Sequence, residues 1–296
     1  LKKIEIIVEE KPTGEISAGA GIGTNGGSFA FTVKENNYLG QGKNVAFDIQ
    51  VDQDSLKGTL NYADPNYDFL GNSVNYYLTS ESNDQPDRGY ENTIMGAGIS
   101  TSFEQYNDVF ATLGISATHD DLQTLDSASD SLKKQSGTFN EVSGNCGFAF
   151  DKRNRSFMPT DGAIISFNQS LPIYADKAFI ANTLSASAYS TLSENFIGST
   201  KLLFTAIDGL GSDDVRLSKR RSLGSKKLRG FEKGKVGPVD GTDHIGGNYA
   251  TALNFEVNLP NFLPEATGAD IGFFLDFGNV WGVDYDASLD DSNKIR

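Results

Sequence analysis

The sequence has little of several residue types that carry chemistry or covalent cross-links. Its 296 residues include one cysteine, Cys146, and two histidines, His119 and His244. A single cysteine forms no intrachain disulfide and no zinc cage, and two histidines offer little for a metal site or a histidine relay. The formal net charge of −14 disfavours nucleic acid as a partner, because such binding needs clustered basic residues.

Long apolar runs are missing as well. No stretch of about 18 apolar residues occurs, so the sequence predicts no transmembrane helix. The first residues, Leu1–Glu5, resemble neither a signal peptide nor a natural start, so we expect the chain to be part of a longer protein. Glycine is frequent, with 32 residues, beside 20 phenylalanines and 11 tyrosines. This composition leaves a β-rich envelope protein open.

Apolar and polar residues alternate with a period of two along most of the chain. Val45, Phe47 and Ile49 are separated by Ala46 and Asp48. The same alternation runs through residues 249–258 and 271–278. Because consecutive side chains of a strand point to opposite faces, each segment has one apolar and one polar face. No helical spacing is sustained, and the pattern predicts an all-β fold.

Such alternation fits either a soluble sandwich or a membrane barrel. A sandwich buries the apolar face, whereas a barrel turns it towards lipid. Many of these segments reach about ten residues, which suits a tilted strand crossing a bilayer, while globular strands average about five or six. The polar faces carry mostly small or uncharged residues with single acids, as in a barrel lumen. Segment length therefore favours an antiparallel transmembrane β-barrel.

The turn signals divide the chain into thirteen predicted strands. They begin near Ile16, Ser28, Asn44, Ser55, Asn72, Tyr90, Asp108, Gly137, Gly162, Phe179, Ile197, Ile245 and Ala269. If Leu1–Glu10 is a strand that ends on the periplasmic side, the first hairpin tip, Thr24–Gly27, faces outward. The outward connections then include the long polar segments Ser80–Gly89, Thr118–Ser136, Gly211–His244 and Val283–Lys294. The shorter connections, Tyr38–Lys43, Glu104–Asn107, Arg155–Asp161 and Leu192–Asn195, face the periplasm.

Closed bacterial barrels have an even number of strands. Thirteen is odd, so we expect the closing strands of the barrel to follow Arg296 in a longer protein.

Several ordered motifs resemble one family, the BamA-type outer-membrane assembly factors. They are Leu228-Arg229-Gly230-Phe231 with Val236-Gly237-Pro238, the turn Asp151–Gly162, Ile245-Gly246-Gly247-Asn248, and Phe273–Trp281, with Val8–Gly14 and Tyr38–Gly42 near the start. The resemblance implies a barrel of about sixteen strands, of which about thirteen are present. It also implies that residues 1–12 end the last periplasmic POTRA domain, that 13–296 form the barrel, and that 211–245 fold into the lumen.

The resemblance also implies a site within that lumen. Arg229 is expected to meet the carboxylates of Glu256 and Asp276, which fall on the polar faces of neighbouring strands. A guanidinium suits this contact because its fork matches carboxylate geometry. Gly230 is expected to let the backbone pass close to the barrel wall, and Phe231 to anchor the turn.

The first strand carries a second implied feature. The strand that begins near Ile16 places Gly19, Gly21 and Gly23 on one face, and glycine weakens strand pairing. The resemblance implies that this strand and the last one form a lateral gate, which admits client strands by edge pairing. The alternative is that the glycines only relieve crowding in the lumen.

Other features have simpler interpretations. The Gly19-x-Gly21-x-Gly23 pattern lacks the helix that a dinucleotide-binding loop needs, because another strand follows it. Cys146 falls on the apolar face as a small inert residue. The basic runs Lys219–Arg221 and Lys226–Lys227 either contact lipopolysaccharide or seat the loop against acidic walls. The residues that we expect to form aromatic belts at the membrane surfaces are Trp281, Tyr62, Tyr67, Phe69, Tyr90, Phe103 and Tyr106.

The sequence leaves three classes of function to compare. The resemblance implies a non-enzymatic factor that inserts β-barrel clients into the outer membrane of a Gram-negative bacterium. A two-partner secretion translocator of the same superfamily is the alternative, and a barrel enzyme is disfavoured because neither histidine lies in a catalytic constellation. The implied partners are unfolded outer-membrane proteins, outer-membrane lipid, and lipoproteins bound through POTRA domains. We expect no cofactor, no metal and no nucleic acid.

Overall fold

A computed structural model describes residues 11–23, 26–193, 196–260, 263 and 269–296. Within these ranges, thirteen strands pair in chain order into one antiparallel sheet. The strands are β1 (Gly14–Gly23), β2 (Gly26–Tyr38), β3 (Lys43–Asp52), β4 (Ser55–Asp64), β5 (Ser73–Gln85), β6 (Tyr90–Tyr106), β7 (Val109–Thr124), β8 (Gly137–Asp151), β9 (Gly162–Ala175), β10 (Phe179–Ser193), β11 (Phe196–Gly209), β14 (Tyr249–Leu259) and β15 (Ile271–Trp281). The expected strand Leu1–Glu10 and half of the first hairpin tip lie outside the described residues.

The remaining elements are short. β12 (Val239–Asp240) and β13 (Asp243–His244) pair with each other inside the loop that joins β11 to β14. One helical turn, α1, covers Asp130–Lys133, and 3-10 turns cover Pro86–Arg88, Leu217–Lys219 and Ala287–Leu289. In the part of the chain that is described, no helix has the length and apolarity needed to cross a membrane.

The predicted strand order is confirmed, and twelve of the thirteen predicted starts lie within two residues of the observed ones. The exception is the strand predicted to begin at Ile245, which begins at Tyr249. Ile245–Asn248 belong to the end of the loop, where Gly247 forms an isolated bridge with Arg221.

Two predicted outer loops are shorter than expected. Residues 80–85 continue β5 and residues 118–124 continue β7, although both segments are polar. The hydrogen-bonded ladder extends to Gln85 opposite Tyr90 and to Tyr90 opposite Thr124. Neighbouring strands that extend together satisfy each other's backbone groups, so polar side chains do not end them.

The register separates an apolar face from a polar one. Phe29 lies opposite Val51, and Val33 lies opposite Phe47. All four side chains are more than a third exposed. In a sandwich this face would be covered by a second sheet. We call it the outer face and the polar side the lumen face.

The buried core of the described residues lies on the lumen face, at the end of the sheet that carries the long loop. We call residues 210–248 the lumen loop. Its apolar side chains contribute to three clusters against the sheet. The first contains Tyr90, Leu122, Ala128, Leu132, Leu217, Ile245 and Val283, the second contains Leu223, Leu228, Val236, Ala250, Ala252 and Val280, and the third contains Phe179, Ile207 and Val215. The packing of the lumen loop against the lumen face of the sheet is therefore driven largely by the burial of apolar side chains.

The two edges of the sheet differ. β1 pairs only with β2 among the described strands, which leaves its other side unpaired. On β15, the backbone of Gly278 exchanges two hydrogen bonds with Arg296, with N–O distances of 2.8 and 3.0 Å. An unpaired row of N–H and C=O groups is a template for a further strand.

Candidate functional site

Arg229 binds Asp276 through a two-pronged contact. The Arg229 Nε and Nη2 atoms each lie 2.7 Å from a different oxygen of the Asp276 carboxylate. The backbone N–H of Arg229 donates to Oδ2 of the same carboxylate at 3.0 Å. The Asp276 side chain is 3% exposed and that of Arg229 is 28% exposed. Such bidentate charged hydrogen bonds are among the strongest in proteins, and they fix orientation as well as position.

Two further side chains surround the guanidinium. Arg229 Nη1 lies 3.7 Å from Glu256 Oε1, and the guanidinium carbon lies 3.8 Å from the centre of the Phe274 ring. Glu256 also pairs with Lys201 at 3.2 Å. The carboxylate contacts raise the pKa of Arg229 above its usual value, the hydrogen bond to Asp276 contributing most. The guanidinium is therefore held as a cation between two strands.

The register of β14 and β15 places these partners side by side. Asn254 lies opposite Asp276, and Glu256 lies opposite Phe274. The Asn254 amide donates to Asp276 Oδ1 and to the carbonyl of Lys227, both at 2.8 Å. The structure thus brings Arg229, Glu256 and Asp276 together as the sequence predicted, and adds Asn254 as a bridge from the loop backbone to the wall.

The apolar anchor of the motif is Leu228 rather than Phe231. Leu228 is buried in the second cluster of the lumen loop, while the Phe231 side chain remains 43% exposed. The expected role of Gly230 is also wrong. A Cβ at Gly230 would meet nothing within 4 Å, but its φ is +89°. Gly230 is needed because the chain turns through a left-handed conformation there, not because the wall is close.

A second anchor of the lumen loop was not predicted. Arg216 is buried, with Nη2 3.3 Å from Glu141 Oε2 and Nη1 3.8 Å from Asp120 Oδ2. Its guanidinium carbon also lies 4.6 Å from the centre of the Phe139 ring. Asp120 and Glu141 belong to the neighbouring strands β7 and β8. The loop is therefore held at two separated places on the wall.

The loop backbone supports this second anchor. Ser218 Oγ donates to Asp120 Oδ2 at 2.6 Å, and the Gln135 side chain accepts from the N–H of Leu217 at 3.0 Å. Arg216 lies 96 residues from Asp120 and 75 residues from Glu141 along the chain. No local spacing in the sequence therefore signals either contact. The only signal was the presence of acids at lumen-face positions.

The structure also shows where the first basic run lies. Lys219 Nζ lies 3.1 Å from Glu141 Oε2, and Arg220 forms an ion pair with Asp284. Burial lowers the pKa of Arg220, and the nearby Asp284 opposes that shift. Lys219 and Arg220 therefore seat the loop. Lys226 and Lys227 remain exposed.

The predicted gate strand is the edge strand β1. Ile16 lies opposite Val33 on the outer face, while Gly19, Gly21 and Gly23 lie opposite Ala30, Ser28 and Gly26 on the lumen face. A Cβ at Gly19 would meet nothing within 4 Å, and one at Gly21 would meet only the Ser28 hydroxyl at 3.4 Å. Crowding therefore does not require these two glycines, which argues against the alternative explanation for them.

Two glycines of the Ile245–Asn248 motif allow close backbone contacts at the end of the lumen loop, Gly246 within the loop and Gly247 with the wall. Gly246 has a φ of +69°, and a Cβ there would lie 2.5 Å from the carbonyl oxygen of Arg221. A Cβ at Gly247 would lie 2.2 Å from the carbonyl oxygen of Trp281. The loop backbone therefore approaches β15 more closely than any side chain permits.

We expect Gly247→Ala to destabilise the protein by about 2 kcal/mol, the usual scale of an overpacked position. The measurement is the thermal unfolding midpoint of the full-length protein in detergent. Gly224→Ala is the matched control, because a Cβ there meets nothing within 4 Å. Equal midpoints for the two variants would contradict the predicted clash.

These features define a class of protein. A long-stranded antiparallel sheet with an apolar outer face, a polar lumen face and a loop clamped inside the lumen is a membrane-spanning β-barrel domain. The model of the Omp85 superfamily domain matches residues 37–296. The chain belongs to the Omp85 superfamily, and its barrel domain is of the BamA type.

Individual relatives agree with this assignment. The chain is 25% identical over 304 residues to outer membrane protein assembly factor BamA of Neorickettsia risticii, covering 99% of this chain and 40% of that protein. It is 26% identical over 282 residues to a mouse sorting and assembly machinery component 50 homolog, covering 89% of this chain and 58% of that protein. The chain thus spans between 40% and 58% of the length of these curated relatives.

A solved structure shows the same fold. The crystal structure of BamA from Haemophilus ducreyi lacking POTRA domains 1–3 has a TM-score of 0.81 against this chain. The sequences are 23% identical, and the match covers 93% of this chain and 59% of that one.

Proposed function

We propose that this chain is the membrane-embedded part of an outer-membrane assembly factor that folds and inserts β-barrel clients. The observation that carries the proposal is the unpaired edge of β1, in a sheet whose lumen loop is clamped at two places, to β7–β8 and to β14–β15. The names of both relatives refer to assembly, of outer membrane proteins in one case. The proposal places the chain in an outer membrane, specifically that of a Gram-negative bacterium.

The edge of β1 supplies the chemistry of insertion. Its free N–H and C=O groups pair with an incoming client strand, which needs those hydrogen bonds because lipid offers none. Gly19 and Gly21 contribute no side-chain packing on the lumen face, so a strand paired at this edge is released easily. No bound cofactor takes part in this exchange of backbone hydrogen bonds.

The partners follow from this role. Unfolded outer-membrane proteins are the substrates, and periplasmic POTRA domains that precede the barrel bind the lipoproteins of the assembly complex. Residues 1–12 are proposed to end the last of these domains, while residues 1–10 lie outside the described part of the chain.

A disulfide across the gate tests the proposal. In full-length protein carrying Cys146→Ala, a cysteine at Ser17 is paired with one at the facing position of the closing strand. Because a covalent tether keeps the client from the β1 edge, we expect oxidation to abolish client insertion and reduction to restore it. The measurement is the yield of folded client barrels in proteoliposomes.

A matched tether controls for oxidation itself. Ala30 and Gln50 lie opposite each other on the paired strands β2 and β3. A disulfide between cysteines at these positions leaves the β1 edge free, so insertion is expected to continue. Full insertion by the oxidised gate tether would overturn the lateral gate and favour a translocator that conducts its substrate through the lumen.

A further inference from the structure

An apolar groove of about 460 Å³ crosses the outer face of β4 to β7. Its lining forms two adjacent cross-strand rows. One row contains Tyr62, Tyr76, Ile99 and Ile115, and the other contains Leu60, Leu78, Ala97 and Ala117. The volume lies within the range of about 300–1,000 Å³ that is usual for small-molecule sites.

The groove exists because two small side chains interrupt a surface of large ones. Ala97 and Ala117 lie opposite each other on β6 and β7, beside Leu78 of β5. Leu78, Ile99 and Ile115 are each more than 40% exposed and form the raised sides. Since the outer face of a membrane-spanning barrel contacts lipid, the groove opens into the bilayer.

The position of the groove along the strands places it in one leaflet of the bilayer. Tyr62 lies two residues before the end of β4, and Tyr76 lies three residues after the start of β5. At about 3.3 Å per residue, both tyrosines lie within about 10 Å of the strand ends. These ends meet at the β4–β5 turn, on the side of the sheet opposite the lumen loop. The groove therefore belongs to the leaflet at the end of the sheet that lies opposite the lumen loop.

The β4–β5 turn presents apolar side chains on a fixed backbone. Asp68 Oδ1 accepts hydrogen bonds from the N–H groups of Leu70 at 2.9 Å and Asn72 at 3.1 Å. The turn holds Phe69 at 96% exposure and Leu70 at 71%. Large apolar side chains held out in this way, just below a lipid-facing groove, suit the interfacial layer of a bilayer.

We infer that the groove binds an acyl chain of a phospholipid in this leaflet, and that Phe69 and Leu70 insert beside its head group. The lining offers apolar contacts along its length, which matches a hydrocarbon chain and not a polar ligand. The inference depends on the placement of the outer face against lipid and not on the proposed assembly activity.

The first test fills the groove in the full-length protein. Ala97→Phe with Ala117→Phe is compared with Ala163→Phe with Ala186→Phe, two outer-face positions on β9 and β10. Both proteins are reconstituted in phosphatidylethanolamine–phosphatidylglycerol vesicles and extracted into detergent, and native mass spectrometry counts the retained phospholipids. We expect the first pair to lose the tightly retained phospholipid and the control pair to keep it.

Equal retention in the two variants would overturn the inference. Unchanged lipid retention together with an altered oligomeric state would instead assign the groove to a second copy of the chain. Heat-modified mobility on gels shows whether each variant is folded. If the phenylalanine pair does not fold, the milder pair Ala97→Leu with Ala117→Leu takes its place.

The second test concerns the turn. In full-length Cys146→Ala protein, Phe69→Cys is labelled with a nitroxide, and the control label is placed at Asp54 in the β3–β4 turn at the opposite end of the sheet. We expect the label at position 69 to be accessible to oxygen and protected from a water-soluble nickel reagent, and the control label to show the reverse. Water-like accessibility at position 69 would contradict insertion.

Discussion

Replacing Arg229 with alanine is expected to detach the tip of the lumen loop from the wall and to impair client assembly. The substitution removes both prongs of the contact with Asp276 and the stacking on Phe274. It leaves the Asp276 carboxylate, which is 3% exposed, with the Asn254 amide and the Arg229 backbone N–H as its remaining partners. Removing one member of a buried ion pair costs about 3–5 kcal/mol, and the partial exposure of Arg229 reduces this to about 2–3 kcal/mol.

The conservative variant separates charge from geometry. Arg229→Lys keeps the positive charge but has no planar fork, so it makes one of the two side-chain hydrogen bonds to Asp276 at most. We expect Arg229→Lys to lose less stability than Arg229→Ala and still to assemble clients below the level of the native protein. A lysine variant that behaves like the native protein would show that charge alone holds the loop.

The readouts are hydrogen exchange in residues 223–236 and the level of folded client barrels in cells. Faster exchange is expected in Arg229→Ala, because these residues lose their attachment to β14 and β15. Unchanged exchange and native levels of client barrels in cells carrying Arg229→Ala would contradict a structural role for the contact. Combining Arg229→Ala with Asp276→Asn tests the pair directly, since the second substitution should then add little.

The sequence predicted the strands and this contact for different reasons. Alternation over about ten residues identified the strands and placed Glu256 and Asp276 on the lumen face, because strand geometry is local. The pairing with Arg229 came from a motif, since periodicity does not say what a loop contacts. Phe231 was misassigned because an aromatic residue in a motif suggests burial, whereas the space beside the wall is filled by Leu228.

Contacts between distant segments that no motif marks were not predictable from the sequence. Arg216 lies 75 residues from Glu141, and the two meet only because β7, β8 and the lumen loop are assembled together. The outer extensions of β5 and β7 were assigned to loops because their polar side chains resemble those of turns. The apolar groove depends on two alanines becoming neighbours across strands β6 and β7, which requires the register of the pair.

Replacing Arg216 with methionine is expected to release the first half of the lumen loop. The side chain is 2% exposed and lies between two acids that are 1% and 7% exposed, Asp120 and Glu141. Methionine keeps much of the volume and removes the charge, so the loss is mainly electrostatic. Leaving buried carboxylates without their cation costs about 3–5 kcal/mol. Lys219 still contacts Glu141 and Ser218 still donates to Asp120, so we expect the lower end of that range.

Removing the acids as well provides the control. Asp120→Asn with Glu141→Gln eliminates the charges that Arg216 neutralises, so Arg216→Met should cost much less in that background than in the native protein. Thermal unfolding in detergent measures the difference between the two backgrounds. An equal cost in both would mean that Arg216 acts through its packing on Phe139 and not through the ion pairs.

The effect of Arg216→Met is expected to differ between the two parts of the lumen loop. Arg216 binds the β7–β8 wall and Arg229 binds the β14–β15 wall, so each anchors a different part of the loop. Hydrogen exchange in Arg216→Met is therefore expected to rise in residues 215–222 and to stay near native in residues 228–236. If both segments exchange faster together, the lumen loop opens as one cooperative unit, and loosening it at either wall releases its contact with the other.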